Sequence, residues 1–232
     1  MTDRYPIPEF LRQPKPFVRA PIERPILFSS PMVRALLAGT KTQTRRAVKD
    51  QPITPFRRMV GHVAQFWERC AVTGMSQERE CPYGQPGDRI YVRENAWQRP
   101  ERTPKMMREG ADTWPPFIYD ADYPAGIPWV ERDNLKTWGW KRRPSIHLPR
   151  KGSRILLEIA AVRVERLQDI GDADALAEGI QPADPVDFGT DHQLVTPACR
   201  RAYARLWESI NGPGSWGANP WVWVVEFRRV KA

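Results

Sequence analysis

The strongest period-two signal in the chain lies in "SRILLEIAAVRVERLQDI". Ile155, Leu157 and Ile159 fall on one face, while Val162 and Val164 fall on the opposite parity. One residue too many separates the two sets, so a long strand with a bulge near Ala160–Ala161 is predicted. "NPWVWVVEFRRV" alternates as well, with Trp221, Trp223, Val225 and Phe227 one way and Val222, Val224, Glu226 and Arg228 the other. "QPGDRIYVRE" places turn chemistry at Gln85–Asp88 ahead of a half-buried strand carried by Ile90 and Val92. Ile26 to Phe28 read as a short strand, and "GHVAQFWERCAV" and "PFIYDADY" as two more. Helical spacing is confined to three stretches. In "SSPMVRALLAG", Ser30 is the expected N-cap, Pro31 the first helical residue, Val33, Leu36 and Leu37 the apolar face, and Gly39 the stop. "DADALAEGI" has Asp172 as cap and Gly179 as stop. "TPACRRAYARLWESIN" starts at Thr196–Pro197 and offers Ala198, Ala202, Leu206 and Ile210 as its buried face.

This order of short strands and few helices predicts an α+β domain over residues 25–231, most simply a small β-barrel closed by the last strand and bordered by short helices. Residues 1–24 have no periodicity and read as a flexible, proline-rich arm, with Phe10, Leu11 and Phe17 as possible anchors. The stretches near 50–80 and 98–143 read as loop insertions.

Composition narrows the function classes. The chain has 232 residues, 36 basic and 27 acidic, for a formal charge of +9. Such a balance favours polyanionic partners without dictating a fold. Cys70, Cys81 and Cys199 form no C-x-x-C pair, and His62, His147 and His192 stand alone. Neither a disulfide framework, a metal site nor a cofactor is expected. No apolar run of membrane-spanning length exists and the start does not resemble a signal peptide, which predicts a cytoplasmic protein that does not engage the membrane.

The densest candidate chemistry follows the first helix stop. "LLAGTKTQTRRAVK" places Lys41, Thr42, Thr44, Arg45 and Arg46 together with almost nothing apolar between them. Two readings are open: cations complementing a helix C-terminus, or one wall of a site for an anionic or polar ligand. Arg93 and Glu94 end a strand just before Trp97, either as an ion pair beside a core tryptophan or as a stacking grip on a nucleotide. "WKRRPSIHLPRKGSR" carries Lys141, Arg142, Arg143, Arg150, Lys151 and Arg154, which is either a phosphate-contacting loop or a solvated one. Trp216 is a core plug or a base platform.

"GTKTQTRR" resembles the G-x-K-T-x-T-x-R signature of the ASCH (activating signal cointegrator homology) family, through Gly39, Lys41, Thr42, Thr44 and Arg46. "PGDRIYVRE", the long strand, "ALAEGI" and "WVVEF" follow in the family's order. "RPILFSSPMVRALLAGTKTQTRR", "CPYGQPGD" and "WESINGPGSWGANPWVWVVEF" are similar to phage and prophage members. The resemblance implies a PUA-like β-barrel with a helix-bordered cleft that binds RNA or nucleotides. It also implies a possible amidohydrolase, because small bacterial relatives deacylate N4-acetylcytidine with a matching lysine, threonine and glutamate. Carried over, these are Lys41 as base, Thr44 as nucleophile and Glu178 as the orienting acid. A threonine needs a base to become nucleophilic, and a lysine serves as one only with its proton affinity lowered. The expected function is therefore nucleic-acid or nucleotide binding, with deacylation of a modified nucleoside or metal-free nuclease activity as the enzymatic alternative. Binding of a host protein through the arm or an insertion is the third.

Overall fold

The structure is a computed structural model and describes residues 19–49, 51, 55–60, 63–69, 76–100, 104–108, 110, 115–180 and 198–230. Phe10, Leu11, Phe17, His62, Cys70, His192, Thr196 and Pro197 lie outside the described residues. The elements run β1 (Glu23–Leu27), α1 (Ser30–Leu37), β2 (Gln43–Ala47), β3 (Pro55–Val60), β4 (Val63–Arg69), β5 (Ser76–Arg79), β6 (Arg89–Arg93), β7 (Ala96–Gln98), α2 (Pro104–Arg108), β8 (Phe117–Tyr119), α3 (Trp129–Thr137), β9 (Lys141–Arg143), β10 (Leu156–Arg166), α4 (Asp172–Ala177), α5 (Ala198–Asn211) and β11 (Trp221–Arg229).

The class is α+β. A five-stranded sheet, ordered β1-β6-β10-β11-β2, sits beside two three-stranded sheets, β3-β4-β5 and β8-β7-β9. In the larger sheet β1 pairs with β6 in parallel and all other pairs are antiparallel. β1 and β2 are its edges, so the described strands do not close into a barrel. The last strand does not seal an edge as expected; it lies between β10 and β2.

The predicted bulge is present. The β10–β11 register shifts between Ile159 and Ala161. That single extra residue returns Val162 and Val164 to the face already used by Leu157 and Ile159, so all four join one core with Val33 and Leu36 of α1. The opposite face of β11 is buried too. Val222 and Val224 are fully covered by α4 and α5 through Ala175, Tyr203 and Trp207. The large sheet is thus packed between α1 on one face and α4 with α5 on the other.

Several expectations need correction. The α1 cap is Ser29, in extended geometry and without a side-chain cap bond, and Leu37 is 36% exposed because the helix turns only Val33 and Leu36 inward. Gly171, not Asp172, precedes α4 as its cap. The buried face of α5 is centred on Tyr203 and Trp207, and Ile210 is 52% exposed; two aromatics four residues apart fill more of the core than the alanine–leucine stripe. Arg19 to Arg24 are not a free arm: β1 begins at Glu23, and the buried Asp88 carboxylate accepts from Arg19, Arg24 and the Ile22 and Gln85 N–H groups. The 98–143 stretch is not only loop, since it supplies β8, α3 and β9 around β7.

Candidate functional site

Three element ends meet where the motif lies. α1 stops at Gly39, whose φ of +78° suits glycine, and the Thr40 and Lys41 N–H groups return to the Ala35 carbonyl. Lys41 then makes an isolated antiparallel bridge with Glu178, just past α4, and the Thr42 N–H donates to the Ala177 carbonyl at 2.8 Å. Gly179 makes the approach possible. Its φ is +91°, and a Cβ there would stand 2.9 Å from the Ala35 Cβ and 3.2 Å from the Lys41 Cβ.

The Lys41 side chain is removed from solvent. Its Nζ donates to Glu178 Oε2 at 2.7 Å and to the Glu178 carbonyl at 2.8 Å. A lysine serving a helix C-terminus was one expected reading. The helix it serves is α4, distant in sequence, and not α1. Arg45, also buried, ion-pairs with Glu165 at 2.5 Å, Asp174 at 2.8 Å and Glu178 at 3.4 Å. Arg163 extends the cluster to Glu165, Asp174 and Glu226, and Gln43 Nε2 donates to the Asp174 carbonyl and carboxylate. Three cations and four carboxylates therefore nearly balance at the β2 edge of the sheet.

Burial sets the proton affinities. Desolvation pulls the Lys41 ammonium below its usual range, and the attraction of Glu178 does not fully offset it; Arg46 and Arg45 pull the same way as burial. Burial also opposes the Arg45 charge, but Glu178, Glu165 and Asp174 together raise its proton affinity. Burial alone would push Asp174 up, yet Arg45, Gln43 and Arg163 hold its carboxyl below the usual range. The Tyr203 phenol is pushed well above its ordinary value, chiefly by burial. Lys41 and Arg46 both stand over the Phe28 ring, 5.5 and 5.4 Å from its centroid, and Arg46 Nη2 donates to the Leu27 carbonyl.

Thr44, Arg45, Arg46 and Glu178 line a small cavity between β2 and α5, with Tyr203 and Trp207 opposite. Its volume is about 40 Å³. A water occupies roughly 10–15 Å³ on this measure and a nucleoside-sized pocket starts at about 300 Å³. The cavity as it stands takes a few waters. Chemically, the short path is proton exchange across the Lys41–Glu178 contact, whereas both Lys41 side-chain bonds go to Glu178 and neither to the Thr44 hydroxyl.

The structure brings Lys41, Thr44, Arg45, Arg46 and Glu178 together, with Thr42 exposed beside them. It does not bring in the remaining candidates. Arg93 donates to the Leu148 carbonyl at 2.7 Å. Glu94 is buried against Arg154, which also grips Asp122 and lies 4.0 Å from the Tyr119 ring centroid. Trp97 is a core residue with Leu135 and Trp140, and Arg142 over its ring forms a two-point contact with Asp120. Arg143 is held by Gln98 and Arg150 by Glu23. Of the basic run, Lys141 and Lys151 remain exposed without such a partner among the described residues. Trp216 packs edge-on against Tyr203, as a core plug.

Phe28, Gln43, Arg163, Glu165, Asp174 and Tyr203 were not singled out from the sequence. One signal was present: Arg163 and Glu165 share a parity within the longest strand, polar positions on a face that the fold then covers. No family model, curated protein or solved structure matches the chain. No three His, Cys, Asp or Glu side chains among the described residues converge as metal ligands. No helix among them is long and apolar enough to cross a membrane.

Proposed function

We propose that this chain is an ASCH-type, PUA-like protein that binds nucleic acid or a nucleotide along the β2 edge of its large sheet, with Thr44, Arg46 and Glu178 in the cleft wall and Lys41 behind them. The observation that supports this reading is convergence. The motif residues Lys41, Thr44 and Arg46 meet Glu178, 137 positions away from Lys41, at one desolvated cluster that opens on a cavity. Desolvating such a cluster costs several kcal/mol, which makes it a site candidate as well as a brace. Arg46 is only half-buried, and its described partners, the Leu27 carbonyl and the Phe28 ring, leave its charge unneutralised. The test is binding of single-stranded RNA across a salt series. Each phosphate neutralised should contribute roughly −0.7 to the log–log slope. Arg46→Gln is expected to weaken binding and flatten that slope. Binding that ignores both salt and Arg46→Gln rejects the reading.

A second reading, amide hydrolysis on a modified nucleoside, is favoured by one observation: a lysine of lowered proton affinity sits against a glutamate beside Thr44. The 40 Å³ cavity requires β2 and α5 to part before a nucleoside enters. Cytidine release from N4-acetylcytidine that disappears in Thr44→Val, a substitution close in shape, supports it. No release by the folded protein rejects it.

A further inference from the structure

A second and larger hollow lies on the other side of α1. It measures about 460 Å³ and is walled by the start of α1, the β7–β9 pair, and the turn that leads into α3. That volume is in the range of small-molecule sites, roughly 300–1,000 Å³, whereas the β2–α5 cavity is far below it. Three arginines line it: Arg34 of α1, Arg132 of α3 and Arg142 of β9. Asp120 is the one carboxylate in the wall, and Arg142 already neutralises it with bonds of 2.6 and 3.2 Å. Arg34 and Arg132 make no ion pair among the described residues, whereas Arg142 in the same wall pairs with Asp120. The wall thus carries two uncompensated guanidinium groups. Glu131 is next to Arg132 and, with Asp122, faces Tyr123; Asp122 is gripped by Arg154.

The rest of the wall is Ser30, Trp97 and the turn from Tyr123 to Ile127. Tyr123 and Ile127 flank a tight turn in which the Gly126 N–H donates to the Tyr123 carbonyl at 2.9 Å, with Gly126 at φ +84°. α1 begins at Ser30 in the same wall, and no side chain caps its first N–H groups. A helix start left uncapped favours an anion.

We propose that this hollow binds a phosphate ester of mononucleotide size, the phosphate between Arg34 and Arg132 and the ring against the Tyr123–Ile127 turn. The assignment stands apart from the reading of the β2–α5 cavity. Its phosphate comes from a free nucleotide, as a monoester, or from one residue of a single strand, as a diester; both present anionic phosphate oxygens to the two arginines.

Calorimetric titration of the full chain with AMP, adenosine, inorganic phosphate and the RNA hexamer A6 tests it. AMP is expected to bind at least tenfold more tightly than adenosine, with inorganic phosphate weaker than AMP. The double variant Arg34→Gln/Arg132→Gln should lose at least tenfold in AMP affinity, with its melting temperature retained because neither side chain has an ion pair among the described residues. Lys136→Gln, which removes an exposed cation of α3 outside the wall, should leave AMP binding unchanged, which separates this site from a general loss of positive charge. If A6 binds more tightly than AMP and the double variant loses both, the natural ligand is a strand; if AMP is the tighter, it is a free nucleotide. Equal binding of AMP and adenosine overturns the proposal. So does AMP binding that survives in the double variant, or no binding of AMP or A6 at millimolar concentration. Should the double variant not fold, the exposed Arg132→Gln alone carries the same comparison.

Discussion

At the scale of single residues, Glu178 is the position on which the site depends. Its carboxylate is shared between Lys41 and Arg45, and its carbonyl takes a further Lys41 bond. Glu178→Gln leaves a buried ammonium facing a neutral amide. Breaking a buried pair from one side costs about 3–5 kcal/mol, so urea unfolding at pH 7 should show a loss of that order. The pH dependence has a definite sign. Lys41 has a folded proton affinity below its unfolded one, so the unfolded chain binds more protons between the two values, and stability attached to this group rises with pH there. Without Glu178 the gap widens. The deficit of Glu178→Gln should therefore shrink as pH climbs toward the unfolded lysine range near 10.4. A deficit that stays constant from pH 7 to 10 would mean that Lys41 is not the group left uncompensated.

At the scale of elements, the junction of α1, β2 and α4 is held at glycine-only spacing. Gly179→Ala meets both a left-handed backbone and a Cβ contact of 2.9 Å with Ala35. The conformational term is about 1–2 kcal/mol and over-packing adds about 1–3. A thermal melt should register a drop corresponding to roughly 2–5 kcal/mol. Gly171→Ala is the control, since its added Cβ meets nothing within 4 Å and its φ of −88° is ordinary. Equal effects of the two substitutions would remove the close approach as the reason for Gly179. β11 shows the same logic in strands, because it is buried on both faces and carries the junction between the two cores.

At the scale of the whole molecule, acid should be the weakest condition. Burial would raise the Asp88 carboxyl, but hydrogen bonds from the Ile22 and Gln85 N–H groups and from Arg19 hold it below its usual range; Asp174 is held low by Arg45, Gln43 and Arg163 against the same burial. A carboxyl depressed in the fold contributes stability above its unfolded value, near 3.9, and loses it as pH falls through the folded one. Urea midpoints should be level near neutrality and fall below pH 4. Asp88→Asn should lower stability at pH 7 and flatten the acid slope, because Asp88 ties Arg19 and Arg24 to the turn before β6. An unchanged acid slope in that variant would show that other carboxylates carry the effect.

What the sequence determined by itself was local. Alternation located β6, β10 and β11, and a parity break located the bulge at Ile159–Ala161, because one extra residue in a strand must change which side chains face the core. The resemblance of the motif to a known signature implied Lys41, Thr44, Arg46 and Glu178 as one set, and these four meet in the fold. Tertiary structure decided everything that depends on which distant surface covers a residue. It made β11 an interior strand, turned α5 on Tyr203 and Trp207, and assigned Arg142, Arg150 and Arg154 of the basic 141–154 run to carboxylates that approach from other elements. It also brought Arg34 and Arg132, unremarkable in sequence, to one hollow with no ion pair to either among the described residues. The reason is range: side-chain periodicity is written within a few residues, whereas the partner of a charge is fixed only when strands and helices far apart in the chain are packed together.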